Sequence, residues 1–327
     1  MLTLVTGATG LVGNNVVRLL LERGHAVRVL YRPNGDSRPL AGLEVEFASG
    51  DVRDAASIER ACRGASRVIH AAAYVNIGWR NGELHRSVNV EGTQNVCMAA
   101  RAAGARLVHV SSVDALGVGT RHASADEESP PDLGVHIPYA KSKRDAEQVV
   151  LASVAQGLDA VIVNPVFMLG PWDWKPSSGR MLLQVAAGKG IFAPRGGNDF
   201  CDVRDVAAGI LAAAELGVTG QRYILGGEAM SYLNAWRMMA QVTGGRRPLC
   251  KAGPLAIRAA GAWGDLCGRL TGREPEVNSA ATRMSALFHH FSYTRAAEDL
   301  GYSPRPARQA AEAAWSWFIE HGYARPR

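Results

Sequence analysis

Thr6-Gly7-Ala8-Thr9-Gly10-Leu11-Val12-Gly13 is the stretch that decides the fold. It follows a short apolar run, Leu2–Thr6, and opens a helical pattern that runs from Leu11 to Arg23 and closes at Gly24. The glycines stand at 7, 10 and 13. Gly7 permits a tight turn, Gly10 lets backbone approach a pyrophosphate, and Gly13 lets the helix pack closely on the strand. The helix start then offers free N–H groups and a partial positive charge to phosphates. Between a strand and a helix, this spacing reads as a dinucleotide site lined by Thr6, Gly7, Thr9, Gly10, Leu11, Val12 and Gly13.

Outward from that turn the pattern repeats. His25–Tyr31, Leu43–Ala48, Arg67–Ala72, Arg106–Val110 and Leu158–Val163 are strand candidates, and Leu84–Ala103 and Pro138–Gln156 are long helical patterns. Strands alternating with helices predict an α/β fold built on a doubly wound parallel sheet of the Rossmann type. The unbroken apolar run Ala160–Val163 fits a strand covered on both faces. After Asn164 the rhythm breaks. Gly170–Ser178 reads as an irregular loop, Val203–Leu216 as a helix and Gln221–Gly226 as one more strand. The C-terminal hundred residues read as mostly helical, with Ala307–His321 amphipathic and Trp315 and Phe318 as core candidates. The expected division is a dinucleotide-binding domain over 1–165, with 200–226 returning to it. Residues 166–199 and 227–327 form a smaller, mostly helical substrate lobe over the carboxyl edge of the sheet, where ligands bind in such folds.

Composition narrows the function. The 327 residues carry 36 basic and 30 acidic side chains, a mild +6. That is too dilute for a nucleic-acid binder. A hydrophobic fraction of 47% excludes a disordered chain. Cys62, Cys97, Cys201, Cys250 and Cys267 are scattered, with no zinc-like spacing, so free thiols and no metal are expected. No apolar run reaches the roughly 18 residues of a membrane helix, and no basic segment precedes the first apolar stretch. The expectation is a cytoplasmic protein with a small-molecule substrate, no nucleic-acid partner and no membrane span.

The end of the second strand sets cofactor choice. A carboxylate there would hold the adenosine ribose of NAD; this chain has Tyr31-Arg32 instead. A guanidinium can grip a 2′-phosphate with parallel hydrogen bonds, so NADP(H) is predicted over NAD(H), with NAD(H) still possible and Asp36 able to reach ribose. Asp51 can accept from the adenine amino group, with Val52 against the ring. Ala71, Ala72 and Ala73 leave room for the dinucleotide to cross the sheet edge.

Tyr139 and Lys143 lie four apart at the start of a helix, and therefore on one face. An ammonium there would favour tyrosinate and pull Tyr139 down from its usual ~10 toward neutrality, which suits proton exchange with a hydroxyl. The strand ending Val110-Ser111-Ser112 brings a hydroxyl to hold the substrate oxygen; Ser112 is favoured, with Ser111 its close rival because neighbours on a strand point to opposite faces. His109 reads as a packed core residue. Asp114 could select a polar or cationic substrate group, or cap a turn, and the turn is favoured.

Gly7, Gly10, Gly13, Gly50-Asp51, Ser112, Tyr139 and Lys143 together resemble an extended short-chain dehydrogenase/reductase, over nearly the whole chain. Within that family the chain is similar to dihydroflavonol-reductase-like and 3β-hydroxysteroid-dehydrogenase-like members, and to hopanoid-associated sugar epimerases. Val88–Thr93, Asn164-Pro165, Gly170–Pro176, Tyr223–Glu228 and Leu270–Pro275 carry the likeness. The resemblance implies hydride transfer between nicotinamide and a carbonyl or secondary alcohol. Tyr139 would be the acid/base, Ser112 would polarise the carbonyl and Lys143 would also bind the nicotinamide ribose. Asn89 would support the site or a proton relay. Val110 and Asn164, Pro165 and Val166 would lie near the nicotinamide. Many relatives are homodimers through helices matching Leu84–Ala103 and Pro138–Gln156, so a homodimer is expected.

Candidate substrate residues are Val75, Trp79, Asp114, Val166, Phe167, Met168, Trp172 and Trp174, a mostly apolar and aromatic set suited to flat or lipid-like molecules. Three readings follow. The first is a reductase or alcohol dehydrogenase for a hydrophobic or polycyclic carbonyl substrate. The second is an NAD-dependent nucleotide-sugar epimerase or dehydratase, with Arg180, Arg195 and Lys175 able to meet a diphosphate. The third is a non-catalytic dinucleotide sensor, which would have no need of an acid/base. The cofactor assignment has a direct test. Arg32→Glu is expected to weaken NADPH binding roughly tenfold or more while sparing NADH, and equal NADPH affinity in variant and wild type would refute it.

Overall fold

The computed structural model describes residues 1–130 and 137–325. The strands are β1 Leu2–Thr6, β2 Ala26–Tyr31, β3 Glu46–Ser49, β4 Arg67–His70, β5 Arg106–Val110, β6 Ala160–Pro165, β7 Phe167–Leu169, β8 Phe192–Ala193, β9 Gly197–Asp202, β10 Arg222–Leu225, β11 Glu228–Ser231, β12 Cys250–Lys251 and β13 Phe288–His289. The helices are α1 Leu11–Glu22, α2 Ala55–Cys62, α3 Gly82–His85, α4 Gly92–Ala102, α5 Pro138–Val154, α6 Gly179–Ala186, α7 Val203–Leu216, α8 Tyr232–Thr243, α9 Pro254–Thr271, α10 Ser279–Met284, α11 Thr294–Leu300 and α12 Ala307–Glu320.

Seven strands form one sheet in the order β10-β6-β5-β4-β1-β2-β3, and every pair in it is parallel. Chain order reverses between β1 and β4, the switch point where such sheets open a crevice for ligands. Side chains alternate across the sheet. Val5 of β1 joins Val16 and Leu20 of α1 and Val206 and Ile210 of α7 on one face. Leu4 joins Ile58 of α2, Val96 of α4 and Val150 of α5 on the other. β6 is buried at every position, as its apolar run requires.

The C-terminal region is helical, as expected, and it also carries a small sheet. β9 is the centre of a small sheet, flanked by β11 and β13, with β7 also paired to it. Its residues Asn198, Asp199 and Asp202 give no apolar run, and its partners are two to four residues long, so no periodicity marked them. Helices α8 and α12 cover this sheet around Phe200, Met239, Trp317 and Phe318. The single helix expected over Leu84–Ala103 is three pieces: α3, a π-turn over Arg86–Glu91, and α4.

The glycine turn packs backbone on backbone. A Cβ on Gly7, whose φ is +73°, would stand 2.5 Å from the Ala72 nitrogen, and one on Gly13 would stand 2.3 Å from the Gly7 carbonyl oxygen. Gly13→Ala must therefore push α1 away from the turn, an overpacking cost of about 1–3 kcal/mol. The expected result is a melting temperature lower by several degrees, about 2–4 °C per kcal/mol at this size, together with lost dinucleotide affinity in titration calorimetry.

Candidate active site

The site is assembled at the carboxyl ends of β1, β4, β5 and β6. Gly10 is exposed at the N-terminus of α1, and the first turn of that helix has no side-chain cap and no acid. Its N–H groups are thus left for an anion. Tyr31 packs its ring edge-on to Phe47 at 5.5 Å, and Arg32 is exposed just beyond it. The Asp51 carboxylate is held by Arg53 through Nε and Nη2 at 3.0 and 2.9 Å. That guanidinium, and after it the nearby charges of Arg53 and Arg32, keep Asp51 below the usual carboxylate range. Asp51 is therefore already paired, and Val52 is buried where a Cβ on Gly92 would meet it at 2.8 Å. Asp36 likewise pairs with Arg38 at 2.7 Å.

Ser112 and Tyr139 come together, near enough for the Ser112 hydroxyl to act on the phenol of Tyr139. Pro138 starts α5 and sets Tyr139 in its first turn. Ser112 caps a short 3-10 turn over Val113–Ala115 and accepts from the Asp114 nitrogen at 3.2 Å. The turn is thus capped by Ser112, not by Asp114. The rival Ser111 is buried, and its hydroxyl has no partner among the described residues. Asp114 instead aims its carboxylate at Ser112 Oγ, 3.4 Å away, and at His289 Nδ1, 3.8 Å away.

Tyr139 departs from expectation. Burial, reinforced by the charge of Asp114, raises its pKa above the ordinary tyrosine value, against the opposing pull of the Ser112 hydrogen bond. Lys143 is not among the groups that set this shift; its Nζ donates to the Val110 carbonyl oxygen at 2.9 Å. In the chain alone, Tyr139 is a protonated phenol. Burial also lowers Lys143 to about 8, while Glu147 and Asp114 pull it back upward. Glu147 is buried one helical turn further on. It takes Arg222 Nε at 2.7 Å and Asn164 Nδ2 at 2.6 Å. Asn164 also donates to the Ser112 carbonyl oxygen at 2.9 Å, and its own Oδ1 is buried without a partner among the described residues.

Asn89 sits in the π-turn and works as a clamp. Its amide accepts from the Tyr74 nitrogen at 2.7 Å and donates to the Tyr74 oxygen at 3.0 Å and Ser142 Oγ at 2.9 Å. It ties the loop after β4 to α5. Beneath it, Thr6 Oγ1, His70 and Thr93 Oγ1 form a buried chain at 2.7 and 3.1 Å. Burial first, then Lys143, pushes His70 down to about 3, so it stays neutral. His109 is buried beside it, both ring nitrogens unpartnered among the described residues, a core residue as expected.

Several of the substrate candidates are held by packing contacts within the fold. Phe167 packs on Phe200 at 5.1 Å, since β7 pairs in register with β9, and Met168 packs on the main core. Trp174 meets Trp317 at 5.1 Å and His321 at 5.1 Å. Trp172 lies under the Arg18 guanidinium, 3.3 Å from the ring centre. These two tryptophans fasten α12 to α1. Val166 is buried in the main core. Tyr139 itself belongs to an apolar cluster with Ile77, Val118, Ile137, Ala280, Met284 and Leu287, and its ring lies 5.9 Å from that of His85. Val75 and Trp79 are exposed on the loop after β4, where Trp79 Nε1 donates to Ser279 Oγ at 2.8 Å.

Residues 3–226 match the model of the NAD dependent epimerase/dehydratase family. The chain belongs to that family. It is 37% identical to the sterol demethylase protein B of Methylococcus capsulatus, over 98% of this chain and 99% of that protein. A putative dihydroflavonol 4-reductase of Synechocystis is 37% identical over 98% of this chain and 95% of its own length. The crystal structure of gox2253 superimposes with a TM-score of 0.87 at 38% identity, over 100% of this chain and 99% of that one. The protein is thus an extended short-chain dehydrogenase/reductase, an enzyme family that works with a nicotinamide dinucleotide.

For this family member, the sequence reading missed Glu147, His289 and the Met284 wall. Glu147 was legible in principle, as an acid one turn after Lys143 on the same helix face. His289 and Met284 lie in short elements remote in sequence and carry no local signal. Glu147→Gln removes the charge that raises Lys143, so the ammonium should be lost at lower pH. The alkaline limb of kcat/KM is expected to move from near 8 to lower pH, and an unmoved limb would show that this lysine does not govern it.

Proposed function

We propose that the protein is an NADP(H)-dependent oxidoreductase acting on the carbonyl or secondary alcohol of a hydrophobic, polycyclic or lipid-like molecule. The observation that carries this reading is the apolar cluster of Ile77, Val118, Ile137, Met284 and Leu287 in which Tyr139 is packed. A cluster of this kind recognises a substrate by burying its surface. A nucleotide sugar would need cations for its diphosphate, and Arg180 is committed to Glu276.

The chain fits a dinucleotide. The Gly7 and Gly13 contacts leave no room for side chains, the α1 N-terminus is open, and the buried Asn164 Oδ1 is a free acceptor near the site. Thr6 through Gly13 would hold the pyrophosphate, Tyr31 and Arg32 the adenosine end, and Lys143 with Asn164 to Val166 the nicotinamide end. Ala71 to Ala73 and Val110 would line the crossing. Bound there, the dinucleotide supplies or accepts the hydride.

The remaining work belongs to side chains of this chain. In the reducing direction Ser112 donates a hydrogen bond to the carbonyl oxygen and Tyr139 gives its proton to the same oxygen. The raised pKa of Tyr139 keeps that proton in place until charge develops on the oxygen. The Lys143 ammonium offsets the tyrosinate that remains. Asn89 holds the loop after β4 and so keeps Ile77 against the pocket. A cytoplasmic homodimer through α4 and α5 belongs to the same reading, although Met98 is the one large apolar side chain exposed on those helices.

Tyr139→Phe keeps the ring and its packing and removes the proton. It should lower kcat by roughly 10²–10⁴ and leave the dissociation constant for NADPH within a factor of two or so. Turnover at the wild-type rate would refute the assignment. Tightly held NAD(H), recovered stoichiometrically from denatured protein, would favour the epimerase or dehydratase reading instead.

A further inference from the structure

Helix α9 rests on the molecule through a row of glycines. A Cβ on Gly261 would lie 2.5 Å from Thr282 Oγ1, one on Gly264 would lie 1.7 Å from the Val277 carbonyl oxygen, and one on Gly268 would lie 3.0 Å from Pro275 Cδ. The helix backbone therefore sits directly on residues 275–282. Its opposite side is uncovered, and it is apolar. Leu255, Trp263, Leu266 and Leu270 are 77%, 67%, 46% and 79% exposed. With the exposed Ala259 and Ala262 they recur at three- and four-residue steps and so fall along one side of the helix. Leu249, just ahead of the helix, is also exposed.

Charge adjoins this stripe. Over residues 245–273 the bases Arg246, Arg247, Lys251, Arg258, Arg269 and Arg273 meet one acid, Asp265, a net +5 of the chain's +6. Asp265 is turned inward, accepting from the Ser279 nitrogen at 3.0 Å. Arg258 and Arg269, eleven residues apart, flank the apolar stripe on one side.

We propose that this face of α9 docks on an anionic membrane surface, with the helix lying in the headgroup layer. An exposed stripe of Leu and Trp beside arginines is the pattern of a helix that lies on a bilayer. Tryptophan favours that interface, and basic side chains gain from anionic lipid. The helix does not span: no helix among the described residues is long and apolar enough to cross a membrane. A second copy of the chain fits the stripe less well. Two α9 faces brought together would place like charges side by side with no exposed acid on the helix to answer them. Anionic lipid answers them directly.

The proposal does not depend on the reaction proposed above, since binding is read without turnover. It does give that reaction a setting. Helix α10 lies between the glycine row of α9 and the Tyr139 pocket, to which it lends Ala280 and Met284. A docked α9 would hold that apolar wall beside the bilayer.

The test is flotation of the full chain with phosphatidylcholine vesicles, with and without about one-third phosphatidylglycerol. Wild type should float with the anionic vesicles, less so as salt rises. Trp263→Ser with Leu266→Ser should cut the partition coefficient roughly tenfold or more. Arg258→Glu with Arg269→Glu should abolish the dependence on phosphatidylglycerol. All four side chains are solvent-exposed, so circular dichroism, melting and NADPH binding should match wild type. The proposal is overturned if wild type stays below the anionic vesicles or if the Trp263/Leu266 variant floats equally well. It is also overturned if sedimentation shows a dimer that this variant splits while vesicles bind neither.

Discussion

The structure depends on one close approach. At the centre of the sheet the Gly7 backbone touches the first residues after β4 on one side and the start of α1 on the other, with no atom to spare at either Cα. That contact is possible only because Gly7 and Gly13 have no side chains, and it lies at the switch between β1 and β4. A crevice at such a switch exists in any doubly wound sheet. Here the bare backbone of Gly7 and Gly13 sets how closely α1 sits on the sheet, and the first turn of that helix has no side-chain cap.

A second constraint holds the reacting end. Glu147 is buried and would be costly there without partners. It has two, Arg222 from β10 and Asn164 from β6. Through Asn164 the ion pair reaches the Ser112 backbone, and through its charge it supports the Lys143 ammonium. The chain crosses from the far edge of the sheet to the two hydroxyls in a few contacts. β10, contributed by a late segment, is thus more than an added strand: it brings the arginine that makes a buried Glu147 tolerable. Tyr139 stands at the end of this arrangement with its proton held on by burial and by Asp114.

The sheet was legible because its signals are local. β1 and β5 match the ranges read from the sequence, and α5 begins at the expected Pro138, since apolar runs, glycine turns and a proline at a helix start all act within a few residues. Ser112, Tyr139 and Lys143 were legible for the same reason. The substrate side was not. Trp172 and Trp174 sit in a Gly- and Pro-rich loop with no period, and their partners, Trp317 and His321, are more than a hundred residues on. β9 carries Asn198, Asp199 and Asp202, and its partners are two to four residues long, so all of them look like loop. The π-turn at Arg86–Glu91 has the composition of ordinary helix, and only the clamp made by Asn89 gives it a reason. Lowering of Tyr139 by Lys143 failed as an expectation because helical spacing fixes a shared face and says nothing of burial or of Asp114.

Residues 272–284 show how one segment can serve two surfaces. Its inner side supplies Ala280 and Met284 to the Tyr139 wall. Its outer side is the floor on which the glycines of α9 rest. Glu274 also reaches across to the Arg80 nitrogen at 2.9 Å, and Asn278 Nδ2 reaches the Ile77 oxygen at 2.8 Å, so the loop after β4 is tied to the same segment. Packed elements of this kind shift together rather than singly. The segment thus joins three parts of the fold: α9 through its glycines, the Tyr139 cluster through Ala280 and Met284, and the loop after β4 through Glu274 and Asn278.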